Sequence, residues 1–295
     1  MNPLNGFRKP QYVFRPAQIV RRVLQEFQQR PDKSVVQLPW GLPIEIDAGD
    51  TVGDALSNQG LYDIVTTEIL WRLTERGDNT IDVGANIGYM TSLLAVRSGP
   101  SGSVISFEPH PETYEVLQRN VQKWKNMNQW ALIAPHKLAL SHQQGEAMLD
   151  LSENDASNKS HAHLTFSNSD SGVKVQTARL DRFLAEYREV GVMKIDAEYH
   201  EAEVLQGAGA YLRSKVIRDI IFEEEAKYPA PSHTILEDAG YSIFWFEEHF
   251  RGPKIIPPDK EYRPKRPYDI KPSFLATLDP GRAQRLCWDS GWHSF

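Results

Sequence analysis

The sequence predicts an α/β fold in which a mostly parallel sheet carries helices on both faces. Segments with strand-like and helix-like patterns alternate between residues 79 and 248, as is typical of parallel sheets with helical crossovers. A glycine-rich turn follows the first of these strands, and acidic residues end several of the others. A length of 295 residues, with 40% hydrophobic and 24% charged residues, suits one such domain with extensions.

Residues 1–60 are predicted to form an N-terminal extension that packs on this domain. Residues 1–30 carry six basic residues against one acidic residue, and their apolar residues recur at helical spacing. We expect a helix that packs on the core, and the alternative is a membrane-surface or partner-binding helix. LPWGLPIEID at residues 38–47 predicts a short hairpin before the core.

Residues 61–250 are predicted to form the central sheet and its helices. A helical stretch at residues 51–74, interrupted at Gly60, leads into this sheet. Helices are predicted after every strand except the third and the sixth. The predicted strands are residues 79–84, 103–109, 131–140, 190–196, 218–225 and 241–248.

Residues 251–295 are predicted to complete the same fold. FLATLD at residues 274–279 predicts a last strand, and GRAQRLCW predicts a terminal helix. The Pro-rich segment at residues 254–272 is expected to run extended. The polar segment at residues 152–172 is expected to be a lid, a binding loop or a disordered segment, because it is long and has no periodicity.

The loop DVGANIGY at residues 82–89 joins the first strand to its helix, where open α/β sheets bind ligands. A dinucleotide fingerprint would need glycine where this loop has Asn86 and Tyr89, so a nicotinamide oxidoreductase is a disfavoured alternative. Gly84 and Gly88 still predict a tight turn and a close approach. Asp82 and the loop amides suit a ligand with an amino-acid moiety, because they can meet its ammonium and carboxylate groups.

Glu108 ends the second strand of the central alternation, 20 residues after Gly88. A carboxylate at this position is placed to accept hydrogen bonds from both hydroxyls of a ribose. Pro109 and His110 follow directly and fix the turn into the next helix, where they can border an adenine ring.

Five motifs occur in order along the chain: TIDVGANIGYMTSLLA, VISFEPHPETYEVLQRNV, LALSHQQGEAML, TARLDRF and MKIDAEYHEAEVLQGA. Together they resemble the FkbM-type S-adenosylmethionine-dependent methyltransferases over roughly residues 60–250. The resemblance implies a Rossmann-like, seven-stranded class I methyltransferase sheet. It also implies S-adenosylmethionine as the cofactor and O-methylation of a small-molecule, sugar or secondary-metabolite hydroxyl.

The same resemblance implies which residues surround the cofactor. The loop after the first strand would hold the methionine moiety, Glu108 the ribose, and the segment near residue 140 the adenine, while Asp196 would lie between cofactor and acceptor. The predicted cofactor-binding residues are Asp82, Gly84, Asn86, Gly88, Tyr89, Glu108, Pro109, His110, Ala139, Ser141 and Asp196.

Three residues are candidates for the catalytic base, since a hydroxyl is a weak nucleophile that benefits from one. Asp196 leads, with a purely structural acid as the alternative. His200 lies four residues on, and Glu223 ends the next strand. Glu201 and Glu203 are expected to cap and solvate the first turn of a helix. No metal ligands are predicted, although the reaction class leaves a divalent metal open.

Tyr199 departs from the family pattern. Relatives are expected to read K-I-D-x-E-G-x-E, and this chain places Tyr199 at the glycine position. Glycine there permits an unusual backbone angle or a close approach. Tyr199 therefore either adopts that angle or indicates a reshaped acceptor pocket.

The net charge and the cysteine content restrict which partners and which cellular compartment the sequence supports. A net charge of −6 and a pI of about 5.9 give no argument for nucleic acid or an anionic membrane. Cys287 stands alone, which excludes an intramolecular disulfide, and no signal peptide or membrane span is evident, so we expect a cytoplasmic protein. The oligomeric state stays open, with a homodimer as one expectation. A non-catalytic methyltransferase-like binding module is a further alternative.

Overall fold

The computed structural model describes residues 33–47, 51–127, 129–150, 163–165, 172–184, 187–258 and 272–294. The helix predicted within residues 1–30 lies outside these ranges, as do most of the polar segment at 152–172 and most of the Pro-rich segment at 254–272. Within the described ranges, no helix combines the length and the apolar character needed to cross a bilayer.

Strands and helices alternate through most of the described chain. The strands are β1 (Lys33–Gln37), β2 (Pro43–Asp47), β3 (Asn79–Val83), β4 (Ser103–Phe107), β5 (Leu132–His136), β6 (Ala139–Leu140), β7 (Gly145–Asp150), β8 (His163–Thr165), β9 (Val173–Ala178), β10 (Val190–Ile195), β11 (Ile217–Glu223), β12 (Ser242–Glu247), β13 (Lys254–Ile256) and β14 (Ser273–Thr277). The α-helices are α1 (Thr51–Gln59), α2 (Ile64–Leu73), α3 (Tyr89–Ser98), α4 (Pro111–Lys125), α5 (Glu201–Gly207), α6 (Gly209–Arg213), α7 (Pro231–Asp238) and α8 (Pro280–Trp288).

The central sheet has the strand order β13-β12-β14-β11-β10-β3-β4-β5. Strands β11, β10, β3, β4 and β5 are parallel, and β14, β12 and β13 add antiparallel pairs at one side. The expected seven strands therefore need a correction, because the short edge strand β13 adds an eighth. From β3 the chain proceeds outward through β4 and β5, and it then returns to the other side of β3 at β10, which creates a topological switch point.

Helices cover both faces of this sheet, as predicted. Strand β10 is buried at every position, and its first four residues, VGVM, form an apolar run that is typical of a central parallel strand. One apolar core layer packs residues of α1 to α4 and α8 on one face. A second layer packs residues of α5, α6 and α7 on the other face.

Three sequence predictions need correction. The strand predicted at residues 131–140 divides into β5 and β6, and β6 leaves the central sheet for a four-stranded sheet of order β6-β9-β7-β8. The helix predicted after β10 divides into α5 and α6 at Ala208, where the backbone leaves helical geometry. The hairpin predicted at residues 38–47 begins earlier, because its first strand is β1 and residues 38–42 form its turn.

A buried ion pair on α2 fixes a distant part of the chain. Glu68 and Arg72, one helical turn apart, join through a 2.6 Å contact between Oε1 and Nε. Glu68 also accepts hydrogen bonds from the amides of His293 and Ser294. Arg72 donates to the carbonyl of Gly291. The segment after α8 is therefore held against α2, because its backbone groups form further hydrogen bonds with both members of this ion pair.

The loops that follow β3 and β10 touch each other at Gly84. The backbone there is left-handed, with a φ of 72°. A Cβ atom at this position would lie 1.9 Å from the carbonyl oxygen of Asp196, so no side chain fits. The amide of Asp196 in turn donates to the carbonyl of Val83 over 3.1 Å. The two loops are thus joined by backbone contacts.

Replacing Gly84 with alanine tests this contact. Gly41 is a matched control, because its φ of 88° carries the same backbone penalty while a Cβ there would meet nothing within 4 Å. We expect Gly41→Ala to lower the free energy of unfolding by about 1–2 kcal/mol. Gly84→Ala should cost at least about 2 kcal/mol more, because overpacking adds to the backbone strain. Urea titration of both variants measures the difference, and equal losses would contradict the contact.

Candidate active site

A cavity opens at the carboxyl ends of β3, β4, β10 and β11, at the switch point of the sheet. Ten of the predicted site residues line it: Gly84, Asn86, Tyr89, Glu108, Pro109, His110, Ala139, Asp196, His200 and Glu223. Three others, Asp82, Gly88 and Ser141, do not line it. The cavity therefore unites most of the residues that the sequence places on separate elements.

Glu108 enters the cavity directly after β4. Its Oε2 accepts a hydrogen bond from the amide of Asn86 over 2.9 Å, and its Oε1 accepts one from the amide of His110 over 2.8 Å. The residue is only 7% exposed, and burial raises the pKa of its carboxyl to about 7. Each oxygen keeps a further lone pair, so this carboxylate can accept two more hydrogen bonds from a ligand.

Gly88 supports the cavity from behind rather than lining it. It has a φ of 99° and immediately precedes α3. A Cβ atom there would lie 2.8 Å from Leu117 and 3.0 Å from Trp124, both of which belong to α4. Gly88 is therefore required for the close packing of α3 against α4, and its contact with the cofactor stays a prediction.

Asp82 lies one layer behind the cavity wall. It is fully buried, and its Oδ2 accepts a hydrogen bond of 2.6 Å from the hydroxyl of Thr91 on α3. Burial raises the pKa of its carboxyl, against the opposing effect of the Lys194 ammonium. The predicted direct contact with a ligand ammonium group therefore needs correction, because the side chain points to α3 and to Lys194.

Lys194 lines the cavity and was missed by the sequence reasoning. Its Nζ donates to the carbonyl of Gly84 over 3.0 Å and lies 3.2 Å from Oδ2 of Asp196. Burial opposes its charge, but the carboxylates of Asp196 and Asp82 raise its pKa above the usual value, so the side chain stays protonated. Strand alternation was the available signal, since residues 194 and 196 share a face. Lys194 is also the register partner of Asp82.

His200 lines the cavity immediately before α5. Its Nε2 lies 2.9 Å from the hydroxyl of Ser141, and its Nδ1 lies 3.6 Å from a carboxylate oxygen of Glu203. Burial lowers the pKa of the imidazole, which favours its neutral form. Ser141 is fully buried and contacts His200, so it does not line the cavity itself, and its position near an adenine stays a prediction.

The turn between Asp196 and α5 has an unusual backbone. Glu198 and Tyr199 have φ values of 48° and 70°, so the chain keeps the angle that a glycine would adopt. The Tyr199 side chain is 59% exposed. Glu201 is buried rather than solvated, and its Oε1 accepts a hydrogen bond from the amide of Ala197 over 3.0 Å. The expectation of a solvated Glu201 is therefore wrong, and this side chain instead ties the turn to α5.

Tyr62, between α1 and α2, is a second lining residue that sequence reasoning missed. Its ring packs edge-to-face on Tyr89, with centroids 6.2 Å apart. Burial raises the pKa of its phenol, and so do the carboxylates that surround it. These are the carboxylates of Asp196, Glu223, Asp63 and Glu198. Among the described residues, no three acidic, histidine or cysteine side chains are grouped to hold a metal ion.

A sequence model of the FkbM methyltransferase domain matches residues 82–243, which is more than half of the chain. The match begins in β3, ends in β12 and includes Glu108, Lys194 and Asp196. The chain belongs to the FkbM methyltransferase family.

Two known methyltransferases are similar in sequence to this FkbM-family chain. The hexuronic acid methyltransferase AglP of Haloferax volcanii is 27% identical over 158 residues, which is 53% of this chain and 59% of that protein. Methyltransferase 1 of Beauveria bassiana is 25% identical over 183 residues, which is 55% of this chain and 72% of that protein. The FkbM-family chain thus matches less than two thirds of the length of AglP.

Among solved structures, an S-adenosylmethionine-dependent O-methyltransferase from Thermotoga maritima superposes with a TM-score of 0.44. Its sequence is 14% identical to that of the FkbM-family chain. The superposition covers 86% of this chain and 95% of the other.

The raised pKa of Glu108 predicts a stability that depends on pH. A carboxyl with a pKa of about 7 in the folded state and 4.5 as its ordinary value binds more protons when folded between those two values. Stability is therefore highest below pH 4.5 for this group and falls as the pH rises to 7, by at most about 3 kcal/mol. We expect Glu108→Gln to flatten this fall when the free energy of unfolding is measured between pH 5 and pH 8.

Glu146→Gln is the control for this measurement, because Glu146 lies exposed on β7. It should leave the pH dependence between pH 5 and pH 8 as it is in the wild type. An unchanged slope in Glu108→Gln would show that Glu108 ionises normally in the folded protein.

Proposed function

We propose that this chain is an S-adenosylmethionine-dependent O-methyltransferase that acts on a hydroxyl of a small-molecule, sugar or secondary-metabolite acceptor. The observation that carries the proposal is the pair of carboxylates, Glu108 and Asp196, in one cavity at the switch point of the sheet. Membership of the FkbM family supports methyl transfer as the reaction. The relative named as a hexuronic acid methyltransferase supports a sugar as one acceptor class.

The residues that line the cavity fit S-adenosylmethionine. Glu108 has a spare lone pair on each oxygen for the two ribose hydroxyls, and these donors would offset the cost of burying it. Leu138, Ala139 and Leu140 provide an apolar wall suited to adenine. The Gly84 loop lies where its backbone amides can hold the carboxylate of an amino-acid moiety.

When bound, S-adenosylmethionine supplies a methyl group that its sulfonium has already activated, so alignment and proton removal are the tasks left to the protein. Asp196 is the residue that we assign to proton removal. One oxygen of its carboxylate is held by Lys194, and the side chain remains 22% exposed on the cavity wall. In this role Asp196 would take up the proton of the acceptor hydroxyl, whose oxygen would bond to the methyl carbon while the carbon–sulfur bond breaks and S-adenosylhomocysteine leaves as the neutral thioether.

His200 and Glu223 are assigned supporting roles at the acceptor. The neutral imidazole of His200 is oriented by Ser141, so it can fix the position of an acceptor group without a charge. Glu223 ends β11 and lies on the same cavity wall as Asp196. Carboxylates of this kind accept hydrogen bonds from the hydroxyls of a polyol, and the ring of Tyr62 offers an apolar face beside them.

The net charge and the single cysteine bear on the partners and the location of the chain. A net charge of −6 favours a small-molecule acceptor over nucleic acid, and it gives no support for a membrane surface. We propose a cytoplasmic enzyme, because Cys287 is the single cysteine of the chain and is buried as a free thiol.

Binding of S-adenosylhomocysteine, followed by calorimetry at pH 7 in two buffers of different ionisation enthalpy, tests the cofactor site. Ribose hydroxyls that donate to the ionised carboxylate lower the pKa of Glu108, so binding should release a fraction of a proton. Glu108→Gln should abolish the release and weaken binding by about tenfold or more.

Glu201→Gln is the matched control for this experiment. Glu201 is buried and also has a pKa raised to about 7, but it does not line the cavity. We expect this variant to keep the proton release of the wild type. A folded wild-type protein that binds no S-adenosylhomocysteine would refute the proposed function.

Replacing Asp196 with asparagine tests the assigned base. Asparagine keeps the shape of the side chain but cannot take up the proton, so kcat should fall about 10²–10⁴-fold. S-adenosylhomocysteine formation is measured with a panel of neutral sugars, uronic acids and phenols. Affinity for S-adenosylhomocysteine should change by less than about threefold, since the substitution acts on proton removal. Glu146→Gln, exposed on β7 and outside the cavity, is the control, and a wild-type kcat in Asp196→Asn would exclude Asp196 as the base.

A further inference from the structure

Lys194 lies on the cavity wall between the Gly84 loop and Asp196. It lies on the buried central strand β10 and is itself 5% exposed. Its ammonium group donates to the carbonyls of Gly84 and Val83 over 3.0 and 3.4 Å. It also faces a carboxylate oxygen of Asp196 at 3.2 Å. One side chain thus contacts both the glycine loop and the residue assigned as the base.

The charges around Lys194 are arranged asymmetrically. Oδ1 of Asp82 lies 3.6 Å from the ammonium, beyond the range of a hydrogen bond, and accepts none from the described residues. Asp82 has its Oδ2 bound to Thr91, so its position does not depend on Lys194. Asp196, at hydrogen-bond range, has Lys194 as its ion-pair partner among the described residues. Lys194 therefore compensates the charge of Asp82 but fixes the geometry of Asp196.

We propose that Lys194 is a positioning residue for methyl transfer, which holds the Asp196 carboxylate and the Gly84 loop in one fixed relation. This inference rests on the proposed function. Methyl transfer depends on alignment, and an error of about 1 Å can cost about 10²-fold in rate. Lys194 does not act as a base, because an ammonium surrounded by two carboxylates and two carbonyls stays protonated.

A charge-balanced double variant separates positioning from charge compensation. Lys194→Met alone leaves Asp82 and Asp196 facing each other without a cation, and such a protein can fail to fold. Asp82→Asn/Lys194→Met removes one charge of each sign at register-paired positions. We expect this double variant to fold and to bind S-adenosylhomocysteine within about fivefold of the wild type.

Two measurements on the double variant decide the proposal. In a crystal structure with S-adenosylhomocysteine, the Asp196 carboxylate should be displaced by about 1 Å or more or occupy several rotamers. On any panel acceptor that the wild type methylates, kcat should fall about 100-fold while the acceptor KM stays within about fivefold. Lys194→Arg, which keeps a cation and its donors, should recover part of kcat.

Other outcomes would overturn this inference. An unmoved Asp196 in the double variant, or a kcat equal to that of the wild type, would show that Lys194 serves only to neutralise Asp82. A wild-type protein that binds no S-adenosylhomocysteine would instead overturn the proposed function, and with it this inference. The binding and crystallographic measurements need no knowledge of the natural acceptor.

Discussion

The site depends on the contact between the loops that follow the two central parallel strands. Gly84 lies so close to the carbonyl of Asp196 that only a hydrogen atom fits between the two backbones. The amide of Asp196 is bonded to Val83, so neither loop can move without the other. Because one loop carries the proposed cofactor wall and the other carries the proposed base, the geometry of the reaction is set by strand adjacency within the sheet.

Electrostatics reinforce this backbone contact. Lys194 supplies the one cationic side chain on the cavity wall among the described residues, and the buried Asp82 stands behind it. Burying charged groups is costly unless they are paired, and Lys194 offsets the charges of both Asp82 and Asp196. Glu108 differs, because only backbone amides among the described residues donate to its two oxygens, and burial still raises its pKa to about 7. A ligand that donates hydroxyl hydrogen bonds would therefore stabilise the charge of Glu108 more than the other charges of the site.

Much of the fold and the cofactor wall could be predicted from sequence. Continuous apolar runs such as that of β10 indicate central parallel strands, and the position of Glu108 at the end of β4 follows from strand order alone. The sheet β6-β9-β7-β8 was missed because β6 and β8 have only two and three residues, and β8 lies within the polar segment that shows no periodicity. Asp82 and Ser141 were assigned to the cavity because position in the sequence does not specify the direction in which a side chain points. Lys194 could have been predicted as a site residue, since strand alternation places it on the same face as Asp196.

The Glu68–Arg72 pair on α2 has a consequence for how the chain folds during synthesis. The two backbone amides that donate to Glu68 belong to His293 and Ser294, which lie 225 and 226 positions further along the chain. Until those residues have left the ribosome, α2 must bury two charges whose hydrogen bonds are incomplete, which opposes docking of the helix on the sheet. The emerging domain is therefore expected to remain open at α2 and to close in a late, long-range step.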